Sequence, residues 1–206
     1  MKPEALQAQL LEELARHPVP ESPWRRARVL GGAQALMVVA AAGFAWAHPP
    51  LHVFGSALGN AMELSLLLLL AAGGPLAAVL PGMRGLRTAL LVAAGLALVL
   101  PLAMHNGVGA EGPLFASGAP CAALLLGFSV VPAVAVVWSV KAFAFQPLRV
   151  LVGAASSGAA GQLALALHCP TETAPHLSLF HLLPWVVVAL VVTAVRSRVK
   201  SETYVP

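Results

Sequence analysis

No aspartate occurs anywhere in this chain, and its eight acidic residues are all glutamates. Charged residues of every kind occupy only 10% of the 206 positions, too few to cover a water-soluble domain of this length, so an integral membrane protein is the expected class. Cysteine occurs twice, at Cys121 and Cys169, too far apart for a Cys-x-x-Cys redox pair. With no nucleophile–base constellation either, an enzyme is the least favoured reading. The net charge of +4 comes without a basic cluster beside stacking aromatics, which argues against direct nucleic-acid binding. The first 28 residues are polar and include acids, whereas a cleavable signal peptide needs an apolar stretch close to Met1. No repeat links the two halves, which removes one common sign of a transporter.

Hydrophobic residues make up 59% of the chain, and they are gathered into runs. A helix needs about 20 apolar residues to cross the hydrocarbon core. Six stretches approach this length: roughly 29–47, 57–80, 87–104, 121–140, 148–167 and 182–196. The expected fold is all-α, a polytopic bundle of six transmembrane helices over 29–196, with a cytoplasmic arm at 1–28 and a cytoplasmic tail at 197–206. Gly73-Gly74-Pro75, Pro132 and Pro184 are expected to weaken or kink their helices. The fifth run carries small residues from Gly153 to Gly161, which let helix backbones approach closely and place it inside the bundle.

All twelve Lys and Arg residues fall on one side of this arrangement. Lys2, Arg16, Arg25, Arg26 and Arg28 precede the first run; Arg84 and Arg87 lie between the second and third; Lys141 and Arg149 flank the fourth-to-fifth connection; Arg196, Arg198 and Lys200 follow the last. Basic residues in short loops stay cytoplasmic, so the pattern predicts a bacterial inner-membrane protein with both termini in the cytoplasm.

Within the arm, Leu6, Leu10, Leu11 and Leu14 recur at helical spacing, while Glu4, Gln7, Gln9, Glu12 and Glu13 take the intervening positions. The prolines from Pro18 to Pro23 end this helix, and Trp24-Arg25-Arg26 reads as an interfacial anchor. Surface-lying helices usually carry Lys and Arg on the polar face, and this one carries acids. Docking of the leucine stripe into a groove on a basic partner competes with a passive tail.

The same assignment places both cysteines, and His48, His52, His105, His168, His176 and His181, on the outer side; only His17 is cytoplasmic. Thiols and imidazoles suit soft and borderline metals such as zinc, copper and cadmium, and an oxidising compartment can join two close thiols. His168-Cys169 sets an imidazole beside a thiol, which makes Cys121, Cys169 and His168 candidate metal ligands, with His181 a further candidate in sensing. A disulfide that merely staples two helices is the competing reading. Glu63, the only acid inside a run, is either a ligand or a hydrogen-bond partner within the bundle.

One group of features goes together: Pro23-x-Arg-Arg with Trp24 at the entry, six runs, Cys121 opening the fourth, a Gly/Ala-rich fifth, then Leu167-His168-Cys169-Pro170-Thr171-Glu172 and His181. In these the chain resembles the NrsF-type anti-sigma factors, six-span inner-membrane proteins that negatively regulate extracytoplasmic-function sigma factors. The His-Cys-Pro segment is the most specific part of the match. The chain departs from the pattern at Phe180-His181, where Trp-His is expected. The resemblance implies that the arm holds a sigma factor at the membrane, with Leu6, Leu10, Leu11, Leu14 and Glu13 as its contact residues. It also implies release when a heavy-metal ion or other stress acts on Cys121 and Cys169. No resident cofactor is expected beyond such a transient ion, and the partners are the sigma factor and the lipid bilayer. Light-responsive six-span regulators of a related kind exist, so the stimulus stays open. The alternative is a metal-binding transporter or channel component with Glu63 on its path, which the otherwise apolar run interiors disfavour.

Overall fold

The computed structural model describes residues 12, 22–48, 57–104, 113–169, 171 and 173–201. Leu6, Leu10, Leu11, Leu14 and Glu13 of the arm lie outside these, as do His17, His52 and His105. Six described helices are long and apolar enough to cross a membrane, and no strand occurs among the described residues. They are α1 (Pro23–Ala47), α2 (Ala57–Val79), α3 (Arg84–Met104), α4 (Leu114–Val140), α5 (Pro147–His168) and α6 (Ala174–Arg198). The protein is a six-helix membrane bundle.

Several helices outrun the apolar stretches that announce them. α1 begins at Pro23 rather than at 29, α4 at Leu114 rather than at 121, and α6 at Ala174 rather than at 182. The reason is that a backbone entering hydrocarbon must keep its hydrogen bonds within the helix, whether or not the side chains are apolar. Trp24-Arg25-Arg26 therefore forms the first turn of α1, opened by Pro23, with the Arg25 amide donating to Ser22 Oγ at 3.2 Å. Pro75, Pro101, Pro120 and Pro132 all lie inside helices without ending them. α6 is the irregular one: a single α-turn, Ala174–His176, leads into a π-helical segment, Leu177–Leu182, before the regular helix Leu183–Arg198.

α5 is the axis of the bundle, buried at every position from Val152 to Leu165. Its small residues permit this. A methyl group added at Gly158 would meet the Trp185 ring on α6, one at Gly161 would meet the Leu125 backbone on α4, and one at Gly153 would lie 2.9 Å from Val136 Cγ1. On α2, Gly74 abuts Ser156 in the same way. Lipid tails are as apolar as leucine, so such close packing and interhelical hydrogen bonds hold membrane helices together. Two of these bonds reach α5 carbonyls: Gln34 Nε2 of α1 donates to Ser156 O at 2.7 Å, and Trp185 Nε1 of α6 donates to Ala155 O at 2.9 Å.

The end of the bundle where α2, α4 and α6 finish is the basic end. Four arginines there, Arg26, Arg87, Arg149 and Arg196, are buried rather than loop-exposed. Arg87 donates from Nε to Ala77 O and from Nη2 to Leu80 O, both at 2.7 Å, at the end of α2. Arg26 Nη1 reaches Trp138 O at 3.2 Å, and Arg196 Nε reaches Val140 O at 3.3 Å, so two cations meet the end of α4. A helix C-terminus leaves carbonyls without intrahelical partners and carries the negative end of the dipole, and guanidinium groups answer both.

Candidate metal and redox site

At the opposite end, four side chains from three elements converge. Cys121 sits on the buried face of α4, about two turns from its start. Cys169 caps α5, its amide bonded to Leu165 O at 2.8 Å while the chain turns away in extended conformation. His176 closes the opening α-turn of α6, and His181 lies inside the π segment. One ligand atom from each of these residues can be chosen so that all four lie within 4.8 Å of one another, and all four residues are buried.

The closest approaches are between the sulfurs and one imidazole. The two Sγ atoms stand 3.5 Å apart, longer than a disulfide bond, and Cys169 Sγ lies 3.2 Å from His176 Nε2. The imidazole rings of His176 and His181 are 5.3 Å apart. His176 Nδ1 and His181 Nε2 have no hydrogen-bond partner among the described residues. Phe180 forms one wall, edge-on to Phe115 at 5.7 Å and tight against Gly118, where a methyl group would collide with its ring.

The π segment brings the two histidines together. At 3.6 residues per turn, five residues advance about 140° past a full turn and would point apart. Bonding from i to i+5 instead stacks residues five apart on one face. That is the separation of His176 and His181.

Zinc takes thiolate sulfur at about 2.3 Å and imidazole nitrogen at about 2.0–2.1 Å in a tetrahedral shell. Ligand atoms in such a shell stand about 3.3–3.8 Å apart, a figure that follows from those bond lengths. The thiol–thiol and thiol–imidazole distances are already of that order, and the widest separation, 4.8 Å, needs a closure of about 1 Å. The set is Cys2His2, suited to borderline and soft cations. The thiol pair is also close enough for oxidation after a small approach.

The site differs from the sequence expectation in its histidines. His168, next to Cys169 in the chain, points elsewhere: its Nδ1 is 2.7 Å from His48 O, and its ring packs edge-on to Phe44 at 5.0 Å. The cause is the break at Cys169, which ends the helix and turns the thiol toward Cys121 while His168, still helical, faces the end of α1. His176 takes the position expected of His168, although nothing beside it in the sequence marks it as a ligand. His181 is part of the group. Glu63 lies elsewhere, partly buried on α2 and engaged by a neighbour.

No family model matches the chain, and no solved structure matches it. The chain is similar to the carotenogenesis protein CarR of Myxococcus xanthus, 34% identical over 124 residues. That alignment covers 60% of this chain and 53% of CarR, so the chain spans about half the length of the relative it matches.

Proposed function

We propose that this chain is a membrane-bound anti-sigma factor. It holds an extracytoplasmic-function sigma factor through its N-terminal arm and releases it when a heavy-metal ion or an oxidant engages the Cys121–Cys169–His176–His181 group. In this reading it sits in a bacterial inner membrane with both termini in the cytoplasm and the four-residue group near the outer face. The likeness in sequence to NrsF-type regulators and the similarity to CarR support the class. The observation that carries the sensing half is the buried Cys2His2 cluster at the end of the bundle opposite the start of α1.

The geometry offers a route from one end to the other. A cation drawing four ligands together pulls α4 and the start of α6 toward the end of α5. One helical turn beyond His181, Trp185 is seated against Gly158 and bonded to Ala155 O; the next carbonyl, that of Ser156, holds Gln34 of α1. α1 leads directly back into the arm. A shift of α6 on α5 therefore reaches the helix that presents the partner-binding segment. Such a device needs two bundle arrangements with different affinity for the partner, and a tenfold change in affinity corresponds to about 1.4 kcal/mol.

The test has two arms. The full chain, purified from a host expressing its partner, should bring down a small sigma factor, and deletion of residues 1–21 should abolish the capture; recovery of no sigma factor would remove the class. In a sigma-dependent reporter, Cys121→Ser and Cys169→Ser should each shift the dose response to cadmium or to an oxidant. An unchanged response in both would leave the cysteines as packing residues and sink the sensing half alone.

A further inference from the structure

The basic end holds a cavity of about 660 Å³ between the α2–α3 turn and the start of α5, lined by Gly82, Arg84, Arg87, Gln146, Leu148 and Arg149 among others. Three of its lining residues are arginines, and none of those described is acidic. Arg149 is 8% exposed, its guanidinium lies 4.5 Å over the Phe143 ring, and its Nε has no hydrogen-bond partner among the described residues. Arg87 spends Nε and Nη2 on the carbonyls of Ala77 and Leu80 at the end of α2. Arg84 is exposed at the first residue of α3.

Two helix starts also meet here, since Arg84 begins α3 and Pro147 begins α5, and Gln146 supplies no side-chain cap. Each helix N-terminus presents amides without partners and the positive end of its dipole. A buried guanidinium beside two like charges and two positive helix ends is costly unless an anion joins it. The turn itself leaves room: Gly82, at φ 74°, adopts the left-handed conformation that favours glycine, and a methyl group there would meet nothing among the described residues.

We propose that this cavity binds the phosphate of an anionic phospholipid headgroup from the leaflet on the basic side. The helices enter the hydrocarbon at this level, which is where headgroup phosphates lie. Leu148, on the rim, is 38% exposed and offers an apolar surface to the first part of an acyl chain. Basic pockets between membrane helices suit such headgroups. Free phosphate shares this chemistry, and the acidic arm of the chain is a competing occupant. The choice of leaflet rests on the orientation proposed above; binding in detergent does not, so failure of one is separable from failure of the other.

The full chain in detergent, titrated with phosphatidylglycerol and followed by native mass spectrometry, should retain one lipid, and phosphatidylcholine should not replace it. Arg84→Gln, at the exposed mouth, should weaken retention about fivefold. Arg149→Gln should weaken it more, and Arg84→Gln keeps the test decisive if the buried variant does not fold. Equal retention of phosphatidylglycerol by the wild type and Arg84→Gln overturns the proposal. So does retention of inorganic phosphate with exclusion of the lipid. A full-chain Glu12→Gln, Glu13→Gln variant that alone acquires lipid binding would make the arm the natural occupant, and that too overturns it.

Discussion

His176 is fully buried with one ring nitrogen 3.2 Å from a thiol and the other without a partner among the described residues. A cation bound between the thiols and the two rings would take the nitrogen that faces the thiol, Nε2, as its ligand. His168 offers the contrast, because its ring is already committed to His48 O and Phe44. In the purified full chain, His176→Ala should weaken cadmium binding at least about 100-fold, a ligand counting for no less than an outer-shell partner. His168→Ala should leave it within about twofold by the same comparison. Thiolate-to-cadmium absorbance measures both, and equal losses would dissolve the distinction between the two histidines. The cysteine pair was legible in the chain because adjacent antiparallel runs bring Cys121 and Cys169 to one depth. His176 was not, because its alignment with His181 depends on a π-helical turn that α-helical spacing conceals.

At the scale of the helix, glycine has two different meanings in this bundle. Gly158 of α5 is where the Trp185 ring fits, while at Gly127, on the exposed face of α4, an added methyl group would have no described residue within 4 Å. Gly158→Ala should therefore force α6 off α5 and destabilise by about 1–3 kcal/mol, the usual cost of overpacking a core. Gly127→Ala should be neutral or mildly stabilising, since alanine is better than glycine inside a helix by about 0.5–1 kcal/mol. Thermal unfolding of the two variants in detergent separates them, and a matching loss in both would mean that close packing on α5 is not what holds the bundle. The inner position of α5 followed from its run of small residues alone. The true starts of α4 and α6 did not, because Gly118, Pro120, His176 and His181 interrupt the apolar count while leaving the backbone helical.

For the molecule as a whole, the arginines that mark its orientation also finish its helices. Arg196 is 1% exposed and donates to Val140 O, to Val199 O at 2.9 Å and to Ser201 Oγ at 3.0 Å, tying the last turn of α6 to the end of α4. In the sequence these residues are only a sided charge signal; their burial depends on which helix ends lie near them, and only the packed bundle reveals that. Hydrogen bonds to charged groups contribute about 1.5–3 kcal/mol each, so Arg196→Met should unfold at lower temperature and loosen the basic end without disturbing the distant thiols. Sidedness itself is testable with thiols placed at the two ends of a chain whose native cysteines are replaced by serine. Phe115, 73% exposed at the cysteine end, and Lys200, exposed beyond α6, are suitable positions. A membrane-impermeant maleimide should label Phe115→Cys in intact spheroplasts, and Lys200→Cys only after lysis. The reverse pattern would put the Cys2His2 group in the reducing cytosol, where an external metal or oxidant would not meet it first. It would also carry the arm away from any sigma factor, so a single labelling experiment bears on both halves of the proposed function.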